Sequence, residues 1–326
     1  MTVLVTGAAG FIGMHVSSAL LNRGEEVVGL DNLNDYYDPA LKQARLAQLD
    51  ARAGFSFVRA DLADREAVFA AVDARPDIDR VVHLAAQAGV RHSLTDPYVY
   101  VQSNVMGHLV IMEACRRLAA CRHMVYASSS SVYGGNTKLP FSVDDPVDNP
   151  VSLYAATKRA DELMSDCYAH LWALPMTGLR FFTVYGPWGR PDMSAWLFTD
   201  AILSGRPIRL FNHGRMRRDF TFIDDIVAGV LAALDRPPQA DAENRPHRVY
   251  NLGNHRSEDL MHFVEVIEEA CGRQAEKTFD EMQPGDVPAT YADIEASRRD
   301  LGFEPSTPIE VGIPKFVDWF RGYNGR

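Results

Sequence analysis

Six short apolar runs rich in β-branched residues occur in the first 182 residues, and helix-length segments separate most of them. The runs are VLVTG (3–7), EVVGLD (26–31), FSFVRAD (55–61), RVVHLAA (80–86), HMVYAS (123–128) and MTGLRFF (176–182). This alternation predicts right-handed βαβ units, in which helices cover both faces of a parallel sheet. We therefore expect an α/β fold built on a doubly wound parallel sheet.

The pattern loosens after residue 182, where turn-rich pieces stand between shorter helices. A chain of 326 residues that is 47% hydrophobic can form one large domain and a smaller one. We predict a first domain over residues 1–182 and a smaller α/β domain, mainly for substrate binding, over 183–326. A helix and a strand within 220–253 are expected to rejoin the first domain, so that the second is discontinuous.

Charge and cysteine content exclude several classes of protein. The formal net charge of −10 argues against nucleic-acid binding, and an anionic ligand would need a local basic pocket. Four cysteines without CxxC spacing predict buried or incidental thiols in a reducing cytoplasm. The chain enters its first apolar run without a signal-like segment, and no apolar run approaches 18 residues, so we expect neither secretion nor a membrane span.

Three glycines mark the turn from the first strand to the first helix. Gly7, Gly10 and Gly13 are spaced so that backbone N–H groups can approach a pyrophosphate at the helix N-terminus. Asp31, 18 positions after Gly13, ends the second strand, where its carboxylate can accept hydrogen bonds from an adenosine ribose and would repel a 2′-phosphate. The sequence therefore predicts a Rossmann-type sheet that binds NAD rather than NADP.

Other residues at strand ends extend the predicted cofactor site. Asp61 with Leu62 follows the third strand, and LAAQ (84–87) follows the fourth, although each could be an ordinary loop end. The further predicted NAD contacts are Phe11, Ile12, Asn32, Leu84, Ala85, Ala86, Gln87, Asn104, Ser128, Tyr154 and Lys158.

Tyr154 and Lys158 are the residues that indicate an enzyme. A helix places positions i and i+4 on one face, so the Lys158 ammonium can stabilise a Tyr154 phenolate, which makes the tyrosine a usable base. Ser129 lies 25 positions before the tyrosine, in the run SSSS at 128–131. The run could be a flexible polar turn, but its position directly after a core strand favours hydroxyls that face a ligand.

The glycine turn, Ser129, Tyr154 and Lys158 together resemble the extended short-chain dehydrogenase/reductase family over nearly the whole chain. The resemblance implies that Ser129 bonds the reacting oxygen, that Tyr154 exchanges its proton and that Lys158 holds the nicotinamide ribose. Asn104 matches a residue that steadies the active-site loop. Relatives usually form homodimers through two helices each, which here would be the helices around 96–119 and 152–170.

Further segments resemble the UDP-glucuronate 4-epimerases. They are DNLNDYYDPALKQARLAQL (31–49), AAQAGVRHSLTDP (85–97), RFFTVYGPWGRPDM (180–193), RRDFTFIDDI (217–226) and MQPGDVPATYADI (282–294). The resemblance implies an isomerase that takes UDP-glucuronate to UDP-galacturonate through a 4-keto sugar. Ser130 and Ser131 stand where related dehydratases carry an Asp-Glu pair and related decarboxylases keep the glutamate. A UDP-galactose-type 4-epimerase, a decarboxylase without that glutamate and a non-catalytic NAD-binding sensor remain alternatives.

The predicted substrate contacts fall into two groups. Ser129, Ser130, Ser131 and Thr183, with Tyr154 beside them, are expected at the sugar and its carboxylate. Arg190, Arg217, Gln283 and Asp286 lie in segments expected to contact UDP, although Arg215, Arg217 and Arg218 could form a solvated surface cluster instead. The ten histidines show no tight ligand spacing, so no metal is predicted.

Overall fold

The computed structural model describes residues 1–325, and a seven-stranded parallel sheet forms its centre. All six predicted strands are present, which confirms the predicted doubly wound α/β fold. The strands are β1 (Thr2–Thr6), β2 (Glu26–Asp31), β3 (Phe55–Arg59), β4 (Ile78–His83), β5 (His123–Ser129), β6 (Met176–Phe181) and β11 (His247–Leu252). Their spatial order is β11-β6-β5-β4-β1-β2-β3.

Helices cover both faces of the sheet and form two apolar cores. Successive strand side chains point to opposite faces, so Val3 and Val5 of β1 join one core and Leu4 joins the other. The helices up to the end of β6 are α1 (Phe11–Asn22), α2 (Pro39–Asp50), α3 (Arg65–Asp73), α4 (Pro97–Tyr100), α5 (Gly107–Arg117) and α6 (Leu153–Trp172). A π-helical segment, Val101–Met106, joins α4 to α5.

The strand order changes direction between β1 and β4. From β1 the chain builds outward through β2 to β3, and from β4 it builds through β5 and β6 in the opposite direction. Loops that leave the carboxyl ends of two such neighbours diverge and open a crevice, which is where doubly wound sheets bind ligands. The fold therefore predicts a ligand site at the ends of β1 and β4.

The chain beyond β6 forms three small two-stranded sheets and further helices. β11 returns to the central sheet and pairs with β6 in parallel. The division into domains near residue 182 stays a prediction. The remaining strands pair as β7 (Thr183–Tyr185) with β10 (Phe220–Phe222), β8 (Ile208–Leu210) with β13 (Lys277–Phe279), and β9 (Arg217–Arg218) with β12 (Glu258–Asp259). The helices are α7 (Ser194–Ser204), α8 (Ile223–Leu234), α9 (Leu260–Cys271), α10 (Glu295–Leu301) and α11 (Ile309–Asn324).

Within residues 1–325, no helix is both long enough and apolar enough to cross a membrane.

Candidate active site

The glycine turn packs so closely that larger residues would not fit. A Cβ on Gly13 would lie 2.0 Å from the carbonyl oxygen of Gly7, and one on Gly7 would lie 2.8 Å from the backbone nitrogen of Ala85. Gly7 also has φ of +72°, a left-handed conformation that favours glycine. Among residues 1–325 no side chain caps the start of α1 at Gly10, and Phe11, Ile12 and Gly13 line the crevice, so the first N–H groups of the helix remain for a ligand. The turn therefore fits a pyrophosphate.

Asp31 lies at the end of β2, next to this turn. Its Oδ2 accepts a hydrogen bond of 3.1 Å from the N–H of Ala9, and its Oδ1 accepts one of 2.9 Å from the N–H of Leu33. Burial raises the pKa of the Asp31 carboxyl above its ordinary value, while these bonds and the nearby Lys42 ammonium lower it. The carboxylate is thus fixed in orientation at the crevice, where a ribose hydroxyl could donate to it.

The crevice contains a first cavity, lined by the glycine turn, Asp31 and the residues that follow β4 and β5. Nearly all predicted NAD contacts lie on its wall. They are Gly7, Gly10, Phe11, Ile12, Gly13, Asp31, Asn32, Asp61, Leu62, Leu84, Ala85, Ala86, Gln87, Ser128, Tyr154 and Lys158. The predicted contact Asn104 instead lies behind the wall: its amide bonds both backbone groups of Gln87, at 2.8 and 3.1 Å, and the hydroxyl of Thr157, at 3.0 Å.

Helix α6 brings Tyr154 and Lys158, predicted to be catalytic, to this cavity. Ser152 caps the helix by accepting a hydrogen bond of 3.1 Å from the N–H of Ala155, which fixes where the helix begins. Tyr154 and Lys158 then follow one turn apart and both line the first cavity, together with Ser129 at the end of β5. The Lys158 Nζ donates 2.9 Å to the carbonyl oxygen of Ala127. The fold therefore gathers the three predicted catalytic residues.

A buried ion pair that the sequence did not predict joins α6 to β6, and its carboxylate also bonds β5. Glu162 of α6 accepts hydrogen bonds from the guanidinium of Arg180, at 2.8 and 2.9 Å, and from the hydroxyl of Ser128, at 2.6 Å. Burial works against ionisation of Glu162, but the Arg180 guanidinium holds the pKa of that carboxyl below its ordinary value. Although Ser128 lines the first cavity, its hydroxyl is therefore committed to Glu162.

A second cavity adjoins the first and contains most of the predicted substrate contacts. Its wall includes Ser129, Ser130, Ser131, Tyr154, Thr183, Arg190 and Asp286. Gln283 does not line it, and its carbonyl oxygen instead accepts a hydrogen bond of 3.2 Å from the N–H of Asp286. Ser129, Tyr154 and Arg190 line both cavities. The two cavities thus meet at two of the predicted catalytic residues, Ser129 and Tyr154.

Arginines make the second cavity locally basic in a chain of net charge −10. Arg218 lines this cavity, whereas the predicted Arg217 is exposed outside it, because neighbours on a strand point to opposite faces. The sequence did not predict Arg218, and only the pairing of β9 with β12 reveals its direction. Arg91 and Arg209 also line the wall and were not predicted; Arg91 forms an ion pair of 2.9 Å with Asp286.

Arg190 is held where the two cavities meet by the carboxylate of Asp192, which also bonds the phenol of Tyr36. Its Nε donates 3.0 Å to Asp192, which also accepts a hydrogen bond of 3.1 Å from the hydroxyl of Tyr36. Burial and the Asp192 charge raise the pKa of Tyr36 to about 12. Tyr36 lines the first cavity and was not predicted. It belongs to the segment 31–49, whose resemblance to the UDP-glucuronate 4-epimerases could have indicated it.

Comparisons with known proteins agree with this geometry. Residues 3–253 match the model of the NAD dependent epimerase/dehydratase family. The chain is 48% identical to UDP-glucuronate 4-epimerase 4 of Arabidopsis thaliana over 336 residues, which cover 99% of this chain and 76% of the relative. It is 45% identical to a probable UDP-glucuronate 4-epimerase of Rhizobium meliloti over 333 residues, covering 98% and 97% of the two chains.

A solved structure shows a similar arrangement over nearly the whole chain. The UDP-glucuronic acid 4-epimerase of Bacillus cereus, crystallised in complex with UDP-glucuronic acid and NAD, superposes with a TM-score of 0.90. The two proteins are 33% identical, and the match covers 99% of this chain and 100% of the other.

Proposed function

The chain belongs to the NAD-dependent epimerase/dehydratase family, and we propose that it interconverts UDP-glucuronate and UDP-galacturonate by epimerisation at C4, with NAD as its cofactor. One observation carries the proposal: Ser129 and Tyr154 line the wall that a cofactor cavity and a basic second cavity share. A sugar bound in the second cavity can therefore meet the cofactor and a base at one atom.

The residues of the first cavity fit NAD. A Cβ at Gly7 or Gly13 would clash with the backbone, so only glycines allow this tight turn, whose backbone a pyrophosphate can approach. Asp31 offers a fixed carboxylate to the ribose hydroxyls. When bound, NAD supplies reversible oxidation at C4 of the sugar. Because oxidation and reduction cancel over one turnover, the cofactor should stay bound.

The chain's own groups handle the proton. Tyr154, as phenolate, removes the proton of the C4 hydroxyl and later returns it, while Ser129 donates a hydrogen bond to the same oxygen. Lys158, held by the carbonyl oxygen of Ala127, places a positive charge near the phenolate. The 4-keto sugar then turns about its link to the diphosphate and presents its other face for reduction.

A carboxylate beside the new ketone creates a hazard, because a β-keto acid can lose carbon dioxide. The single hydroxyl proton of Ser129 goes to the C4 oxygen. We therefore assign the hydroxyls of Ser130, Ser131 and Thr183, all on the second cavity, to holding the carboxylate. Held there, its bond to the ring stays out of alignment with the ketone π system. Thr183→Val and Ser131→Ala should each release UDP-pentose and carbon dioxide; epimerisation without carbon dioxide in both variants would remove this role.

The proposed reaction can be tested directly. Purified protein is incubated with UDP-glucuronate without added NAD, and proton NMR follows the products while carbon dioxide is measured. UDP-galacturonate with little carbon dioxide supports the proposal, and UDP-pentose with carbon dioxide makes the protein a decarboxylase. Tyr154→Phe is the control for a contaminating enzyme. No turnover with or without NAD, followed by none on neutral UDP-hexoses, would favour a binding-only sensor.

We also propose a homodimer in the cytoplasm. Exposed apolar side chains on the two predicted helices support the dimer, among them Tyr98, Val101, Met106, Leu163 and Leu171. The four free cysteines suit a reducing compartment. Light scattering should give twice the chain mass, and Tyr98→Glu with Leu163→Glu should halve it, whereas Leu197→Glu, an exposed apolar site on α7, should not.

A further inference from the structure

A buried carboxylate stands beside the lysine of the proposed reaction. Asp161 lies three positions after Lys158 on α6, and its Oδ2 is 3.1 Å from the Lys158 Nζ. The side chains are 1% and 3% exposed, so water screens neither charge. The mechanism proposed above uses Lys158 and the carbonyl oxygen of Ala127 but gives Asp161 no role.

Stability does not explain this carboxylate. Its second oxygen, Oδ1, is buried and has no hydrogen-bond partner within residues 1–325. Burial raises the pKa of Asp161 to about 6, even though the Lys158 ammonium lowers it. A buried ion pair with an unsatisfied oxygen contributes little to folding, because desolvation offsets the attraction. Asp161 therefore invites a functional explanation.

The other carboxylate near Lys158 is already committed. Glu162 bonds Arg180 through both oxygens and also accepts from Ser128. Its charge adds to the rise in the pKa of Asp161, but its hydrogen bonds come from Ser128, Arg180 and Arg159 rather than from Lys158. Asp161 is thus the carboxylate in direct contact with Lys158.

Three titratable side chains on β4, α5 and β5 near this pair, those of His83, His108 and Tyr126, are neutral at neutral pH, whereas the charges of Arg180 and Arg159 are paired with Glu162. Burial lowers the pKa of His83, at the end of β4, to about 3, and the Lys158 charge lowers it further. Burial likewise holds the pKa of His108 on α5 well below its ordinary value and that of Tyr126 on β5 well above its own. Because Glu162 is paired with Arg180 and Arg159, Asp161 is the anion that directly opposes the Lys158 charge.

We propose that Asp161 is a positioning residue that holds the Lys158 ammonium and, by opposing its charge, sets the pH range in which Tyr154 works as a base. Lys158 attracts the Tyr154 phenolate, and an anion in contact with the lysine weakens that attraction. With Asp161 ionised, the phenolate forms at higher pH than it would beside an uncompensated lysine. The inference rests on the proposed role of Tyr154 as base.

The test measures the phenolate itself, in the NAD-loaded protein without sugar. Ultraviolet difference absorbance between the wild type and Tyr154→Phe isolates the titration of this tyrosine. The same difference is then taken in the Asp161→Asn background. Removing the charge should move the titration midpoint to lower pH by about 0.5–1 unit. The acidic limb of the kcat profile should move the same way.

Asp166→Asn serves as the matched control. It removes the same charge from the same helix at a half-exposed site that bonds Arg245, and its midpoint should not move. An unchanged midpoint in Asp161→Asn would overturn the proposal, as would a uniform loss of kcat without a shift. If Asp161→Asn folds poorly, Asp161→Ser should give the same shift. Because the titration needs no turnover, its result is independent of whether UDP-glucuronate is the substrate.

Discussion

Neighbouring residues of one short strand should differ sharply in their effect on substrate binding. Arg218 lines the second cavity, whereas Arg217 faces outward, where its guanidinium bonds the carbonyl oxygen of Ser257. A charged hydrogen bond to a diphosphate contributes about 1.5–3 kcal/mol. Arg218→Met should therefore raise KM for UDP-glucuronate about 10–100-fold with little change in kcat.

Arg217→Met is the control for this prediction. It removes the same charge from the same strand, and KM should stay within about threefold. Steady-state kinetics by NMR would measure both variants. An equal rise in KM for both would mean that long-range charge, rather than contact in the second cavity, attracts the substrate.

Asp219 should make the stability of the protein depend on pH. The carboxyl is fully buried and accepts hydrogen bonds from the N–H groups of Asn254 and Ala292 and from the hydroxyl of Thr221. Burial nevertheless raises its pKa from the ordinary 3.8 to about 6. Because the native state holds this proton more tightly than the unfolded state, the contribution to stability is full below pH 4. It is lost as pH rises through 6.

The measurement compares Asp219→Asn with the wild type by urea unfolding between pH 4 and 7. The loss of the carboxylate bonds should lower the free energy of unfolding of the variant at every pH. Its deficit against the wild type should shrink by about 2 kcal/mol between pH 4 and 7. A deficit that grows with pH would mean that the hydrogen bonds outweigh burial.

At the scale of elements, one arginine on α2 bonds the segment that carries Arg190, and Arg190 lines both cavities. Arg45 is fully buried, and its guanidinium donates to the carbonyl oxygens of Trp188, at 2.7 Å, and Gly189, at 3.0 Å. A longer bond of 3.4 Å reaches the carbonyl oxygen of Ala9 in the glycine turn. The residue that follows Gly189 is Arg190, which lines both cavities. Arg45 therefore positions the segment that carries Arg190.

Arg45→Met should weaken substrate binding and stability together. Buried carbonyl oxygens without donors cost about 1–3 kcal/mol each, so the free energy of unfolding should fall by about 3 kcal/mol. KM should rise more than tenfold, because Arg190 loses its support. Arg52→Met is the control: Arg52 follows α2 and bonds Ser18 on α1, away from the cavities. Unchanged KM in Arg45→Met would confine Arg45 to a structural role.

The elements also show what the sequence could predict. The strands and the start of α6 follow from local patterns, namely β-branched runs and a serine cap. The direction of Arg218 depends on the register of a two-residue strand against β12, and the contacts of Arg45 with Trp188 and Gly189 reach across more than 140 residues. Such facts arise from tertiary pairing, which no local pattern encodes. For the same reason Glu162, which pairs with Arg180, was not predicted.

For the whole molecule, NAD should act as part of the fold. The first cavity is lined by β2, β5 and α6, by the loops that follow β1 and β4, and by Arg190 and Met193 beyond β6. One ligand bound there would therefore contact distant parts of the chain. A ligand that binds only the native state stabilises it by RT ln(1 + [L]/Kd), about 4 kcal/mol at a thousandfold excess over Kd. Removal of NAD should therefore lower the melting temperature by several degrees, and added NAD should restore it.

The Asp31 carboxylate should make this stabilisation selective for NAD over NADP. The Asp31 carboxylate, fixed by the N–H groups of Ala9 and Leu33, would repel a 2′-phosphate at close range. NADP should therefore restore little of the lost melting temperature in the wild type. In Asp31→Asn, the Kd for NADP divided by the Kd for NAD should fall at least tenfold. Thermal melts over a titration of each nucleotide measure both affinities, and NAD is the internal control for damage to the site. Equal stabilisation of the wild type by the two nucleotides would place the ribose away from Asp31. It would also mean that the carboxylate serves the turn between β2 and α2 rather than the choice of cofactor.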